Sequence, residues 1–165
     1  MTVTKKDYYL FIQKGLLLFW ATWFTLVSCT DLINFLQQLH LISNNIVFTS
    51  QNYALVLQVL EHIKINSPRL ALVLFALIQL WSWAIAICFW ASVVISTSSR
   101  RYIHVAYIAW ISSCAMTVVF MIFDEIFIAY NIEHGHVNRL CLQAILFLTF
   151  IVLERMRTST AHRSR

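Results

Sequence analysis

Residues 67–101 read SPRLALVLFALIQLWSWAIAICFWASVVISTSSRR, and no position from 70 to 99 carries a charge. A helix needs about 20 apolar residues to cross roughly 30 Å of hydrocarbon, and this run exceeds that length. Its start is marked as well. Ser67 is placed to cap a helix and Pro68 to occupy its first turn, where a missing N–H costs nothing. The adjacent Arg100 and Arg101 then mark a water boundary.

Three more stretches read the same way, giving spans over about 11–31, 68–97, 102–123 and 137–155. The apolar part of the last is short, so Glu154 and Arg155 are expected to reach outward into the interface. Lys14, early in the first span, has a stem long enough to snorkel toward the headgroups. The chain of 165 residues is 60% hydrophobic and 12% charged, with a mean hydropathy of +0.73. An ordinary soluble domain is about half apolar and a quarter charged. With two glycines (Gly15, Gly135) and one proline (Pro68), the turns that many short strands require are missing. The fold class expected is all-α: a four-helix transmembrane bundle in a single domain, residues 1–165.

Between the first two spans lies the external segment, 32–67. Helical spacing continues through Leu32, Ile33, Phe35, Leu36 and Leu39 until Ser43-Asn44-Asn45 breaks it. From Tyr53 to Ile63, apolar residues interleave with Gln58, Glu61 and His62, which predicts a short external amphipathic helix lying on the membrane surface or covering the bundle end. Orientation follows from basic residues, because positively charged loops resist translocation. Lys5, Lys6, Lys14, Arg100, Arg101, Arg155, Arg157, Arg163 and Arg165 fall on one side, against Lys64, Arg69 and Arg139 on the other. Both termini are therefore expected in the cytoplasm, with 156–165 as a basic cytoplasmic tail attracted to anionic lipid. The net charge of +5 sits in these flanking clusters, so nucleic acid is not an expected partner.

Chemistry-bearing residues gather at the external ends. Asp31 follows Ser28, Cys29 and Thr30, and a structural ion pair with Arg69 or Arg139 is the expected use of its charge. His40, His62, Asp124, Glu125, His134 and His136 form a rim of weak metal candidates, with His134-Gly135-His136 read as a turn. Their spacing matches no metal motif, so no metal and no cofactor are expected. His104 has no second axial partner at matching depth for haem. The cysteines Cys29, Cys88, Cys114 and Cys141 show no CxxC pairing. Leu26-Val27-Ser28-Cys29 has the order of a lipoprotein cleavage box, yet the apolar run lies far from Met1, and the segment is read as a retained helix. Small residues recur at four-residue spacing as Ala21, Thr25 and Cys29, as Ala84, Cys88 and Ser92, and as Ala109, Ser113 and Thr117, which marks faces for close helix packing. Trp20, Trp23, Trp81, Trp83, Trp90 and Trp110 are spread over depth rather than confined to two belts, so several must pack inside.

Asp31 with Asn34-Phe35, then His40, the Ser67-Pro68 helix start, Glu125 with Phe127, and Arg139 stand in an order that resembles an uncharacterised bacterial family of small four-helix integral membrane proteins. The family tends to carry an acidic residue after an aromatic in its second helix, where this chain has Gln79-Leu80-Trp81. The resemblance implies a bacterial inner-membrane setting and supplies no reaction. Three functions stay in view: an accessory or scaffold subunit binding other membrane proteins or its own copies, a membrane redox or metal-binding enzyme using the rim, and an oligomeric transporter or channel. The absence of a catalytic motif favours the first, a role other than enzyme. A reporter fused after Arg165 should behave as cytoplasmic, on the same side as Lys5 and Lys6; a reporter active only across the membrane would require an odd number of spans.

Overall fold

The computed structural model describes residues 5–95, 100–126 and 130–163, and within them every regular element is a helix. In chain order these are α1 (Lys5–Gln38), α2 (Asn52–His62), α3 (Pro68–Val94), α4 (Arg100–Ile126) and α5 (Tyr130–Arg163). All but α2 are long and apolar enough to cross a bilayer. The fold is a four-helix transmembrane bundle with the short helix between its first two spans. Ser67 caps α3 as its sequence suggests, its hydroxyl accepting from the Leu70 N–H at 3.3 Å, with Pro68 in the first turn.

Except for α3, which ends at Val94 inside its expected limit of 97, the helices run past the expected spans. With 34 residues, α1 is about 51 Å long and outreaches the hydrocarbon. The expected tail at 156–165 continues α5 as far as Arg163, and the expected turn at His134-Gly135-His136 lies inside α5, which already begins at Tyr130. No proline interrupts either stretch, and a helix once formed adds one hydrogen bond per residue, so water at the bilayer boundary does not end it. The Ser98-Ser99 part of the expected turn before α4 and Phe127 lie outside the described residues.

Two helix ends explain how a chain with so little glycine turns. After α1, His40 donates its N–H to Gln37 O and Leu41 to Leu36 O, with His40 at φ 57°. After α2, Lys64 donates to Glu61 O and Ile65 to Leu60 O, with Lys64 at φ 63°. Both are Schellman closures whose left-handed position, usually glycine, holds a histidine and a lysine. Neither glycine of the chain has positive φ.

Around the bundle the order is α1, α3, α4, α5, with α5 closing against α1, so each helix lies antiparallel to its two neighbours. Aromatic rings fill the centre. Trp110, fully buried, meets Trp20 edge-on at 5.9 Å, Phe89 edge-on at 5.4 Å and Phe147 face-on at 5.6 Å, while Phe24 stacks on Phe89 at 5.9 Å. Such contacts matter here because lipid is as apolar as leucine, so only closer packing distinguishes protein from lipid neighbours.

At the terminal end, Lys14 turns inward rather than toward headgroups. Its ammonium donates to the carbonyls of Ser92, Val93 and Ile95 at 2.7, 2.6 and 3.1 Å, closing the C-terminus of α3, and it lies 4.6 Å from the Tyr102 ring centroid. A cation is favoured there by the helix dipole as well as by the unpaired carbonyls. Glu154 also turns inward, accepting from Gln13 at 3.1 Å and from both Nε and Nη2 of Arg157. At the other end, α2 lies back on α1 and α3, with Tyr53 and Leu60 packed against Ala71 and Phe75.

Trp110→Ala should cost about 3–5 kcal/mol, the usual range for emptying a large aromatic site. Leu80→Ala, at a residue 66% exposed on the lipid-facing side, should leave stability nearly unchanged. Equilibrium denaturation in mixed micelles reads both.

Candidate functional site

The site is built on one face of α1. Ser28, Asp31, Asn34 and Gln37 recur at three-residue spacing, and all four are buried. Three residues turn a helix by 300°, so the stripe drifts steadily around α1. The segment 43–53 follows that drift. Gln37 donates to the carbonyls of Ser43 and Ile46 and accepts from the Thr49 hydroxyl at 2.9 Å. Asn34 Oδ1 accepts from the Tyr53 N–H at 3.2 Å, serving the start of α2 from another helix, since Gln51 at the N-cap makes no side-chain cap bond. Asp31, 2% exposed, accepts from Asn52 Nδ2 at 2.7 Å. A buried carboxylate at a helix N-terminus is also favoured by the dipole of α2.

The charge partners expected for Asp31 are placed differently from one another. Arg139 on α5 is near enough for its charge to attract the Asp31 carboxylate, although no close ion pair joins them among the described residues. Arg69 is exposed in the first turn of α3. The direct partners are therefore neutral, the Ser50 hydroxyl and the amide of Asn52, which sequence spacing alone does not single out.

Deeper in the bundle the same face meets more polar groups. Ser28 Oγ lies 2.8 Å from Ser82 Oγ, and Gln79 donates to the Ser28 carbonyl at 2.7 Å. Across the bundle the Thr117 hydroxyl lies 2.9 Å from Gln143 Oε1. Gln79 and Gln143 each interrupt an apolar run, and that is the signal in the sequence which marks them: an amide in hydrocarbon must find a partner.

Of the rim, the structure brings two members together. Asp124, buried on α4, and His136 on α5 share a short hydrogen bond between Oδ2 and Nδ1, and the imidazole tilts over Phe120 at 5.3 Å. Two residues earlier, His134 points away and is exposed, as are His40, His62 and Glu125. Among the described residues no group of three His, Cys, Asp or Glu converges. The pair Asp124–His136 supplies two of the three or more ligands a zinc ion takes from protein, and what it does here is tie α4 to α5.

The small-residue sets also separate. Ala109, Ser113 and Thr117 are all buried in the bundle; Ala21 and Ser92 are buried, Thr25, Cys29 and Cys88 lie at the margin, and Ala84 faces outward. On α3 the buried face runs instead through Ser82, Ile85, Ala86 and Phe89.

No family model, curated protein or solved structure matches this chain.

Asn52→Ala should destabilise the fold by about 1–3 kcal/mol, because it removes a donor from a buried carboxylate. In an Asp31→Leu background the same change should cost less, and the difference, read by a double-mutant cycle of denaturation curves, measures the coupling between α1 and α2.

Proposed function

We propose that the chain is an accessory or scaffold subunit of a larger membrane complex, seated in a bacterial inner membrane with both termini cytoplasmic. The single observation that carries the reading is a groove of about 380 Å³ on the outward face of α1, lined by Gly15, Leu18, Phe19, Thr22, Trp23 and Leu26. Gly15 and Thr22 stand seven residues apart, two turns, and form a low floor between larger side chains. That spacing suits a partner helix packed lengthwise, since small residues let backbones approach where dispersion drives association. A Cβ added at Gly15 would meet nothing within 4 Å, so the glycine is not needed for packing inside this chain.

The polar interior supports the same reading. Asp31, Asn34, Gln37, Asp124 and Glu154 bond to neighbouring segments of the chain itself and so hold the scaffold in shape. The orientation rests on the nine basic residues of the terminal side against three on the other. The bacterial setting rests on the family resemblance alone.

The partner in this reading is a transmembrane helix of another subunit. Gly15→Leu should leave folding and thermal stability unchanged while abolishing comigration with the partner on native electrophoresis after mild-detergent extraction. Retention of the partner by the variant would remove the groove from the account, and a wild-type chain that runs as a lone monomer would remove the subunit role itself.

A further inference from the structure

From Leu32 to Leu60 the chain carries no Asp, Glu, Lys or Arg, the residues that a stretch facing water normally shows. Its middle returns along α1. After the helix ends at Gln38, Thr49 Oγ1 donates to Gln37 Oε1 at 2.9 Å, and Ser50 donates its N–H to the Thr30 carbonyl at 3.2 Å, so the chain runs back toward the terminal end by about two turns. It does so on the outward face. Phe19 lines the groove on that face, and Gln37 stands five whole helical turns from Phe19, with Thr30 about 20° from the same line.

Height in the bilayer can be read on two helices. At the terminal end, Lys14 closes α3 beside Tyr102, with Glu154 and Arg157 at the same end, and this charged level marks one edge of the hydrocarbon. Along α1, Thr30 stands about 24 Å above Lys14 and Gln37 about 34 Å, so the two bracket the opposite edge of a layer roughly 30 Å thick. The helix α4 gives the same edge, since Asp124, its first carboxylate, lies about 33 Å from Tyr102. Helix side chains lean toward the N-terminus, so the Gln37 amide that holds Ile46 and Thr49 sits lower than its own Cα. The returning segment lies at the edge itself.

There its two sides differ. The Ile46 carbonyl and the Thr49 hydroxyl meet Gln37, while the Thr49 N–H closes on the Val47 carbonyl at 2.9 Å, a γ-turn that puts Phe48 at its apex. Val47 is 92% exposed and Phe48 56%. We infer that residues 46–50 form a lipid hook, held on the outward face of α1 at the edge of the hydrocarbon, with Val47 and Phe48 entering the acyl chains of the leaflet on the α2 side. Height, outward face and missing charge all favour lipid as the occupant. Water in its place would have to hydrate two large apolar side chains. The backbone of the hook stays at headgroup level, where its N–H groups still meet water. With Lys14 at one end and the hook at the other, α1, which is longer than the layer it crosses, has two stops that fix the part immersed. The groove ends at Leu26, one turn below Thr30, so the hook does not depend on a partner helix filling it.

NMR of the wild-type chain, with 13C-labelled valine and threonine methyls, in nanodiscs of phosphatidylethanolamine and phosphatidylglycerol tests the inference. Two paramagnetic probes are compared: a nitroxide carried on the lipid acyl chain near its carbonyl, and a soluble gadolinium chelate. The nitroxide should broaden the Val47 methyls as strongly as those of Val118, exposed within the α4 span, while the chelate broadens Thr158, exposed beyond Glu154, and spares both valines. Val47 broadened by the chelate as much as Thr158 would put the segment in water and overturn the hook. Val47 spared by both probes would mean that protein covers it, which overturns the hook equally. In Phe48→Glu the Val47 methyls should become open to the chelate; if they keep their contact with the acyl nitroxide, Phe48 is not the anchor.

Discussion

A peptide group or side-chain amide inside hydrocarbon has no solvent to bond with, and most of what this bundle does follows from that. The backbone answers by forming helices, whose ladders are complete except at the two ends. The ends are then met by other parts of the chain. Asn34 reaches from α1 to the start of α2, Lys14 reaches from α1 to the last carbonyls of α3, and the Ser67 hydroxyl meets Leu70 in the first turn of α3. Helix ends that water would solvate in a soluble protein have become the joints by which one element holds another.

The same rule sorts the interior into levels. From the terminal end, the buried face of α1 runs through Gln13, Leu17, Trp20, Phe24, Ser28, Asp31, Asn34 and Gln37, so it is polar, then aromatic, then polar again. At one end, Gln13, Glu154 and Arg157 bond to one another beside Tyr102. At the other, Asp31, Asn34 and Gln37 order the segment leading into α2. The aromatic middle is held by shape, Trp110 touching rings from α1, α3 and α5.

How much of this is legible in the sequence depends on range. The four spans, the helix between the first two, and the cap at Ser67-Pro68 depend on local composition and are read directly from residues such as those of 67–101. Asp31 stands out because a carboxylate beside an apolar run is costly. Its partners do not stand out, since Ser50 and Asn52 lie in a polar segment with several hydroxyls and amides and become special only once α2 folds back. The turn expected at His134-Gly135-His136 illustrates the opposite error. Glycine is often a turn residue, but this helix keeps it, and the left-handed closures fall to His40 and Lys64, whose side chains give no such signal. Among the rim residues, His136 meets Asp124 while His134 does not, because two positions on a helix are 200° apart.

Lys14 has a consequence for how the protein is made. Its position in α1 is synthesised long before Ser92, Val93 and Ile95, so α1 enters the membrane with an ammonium whose eventual acceptors do not yet exist. The arrival of α3 supplies the three carbonyls. The joint that Lys14 makes thus waits on a segment some eighty residues downstream.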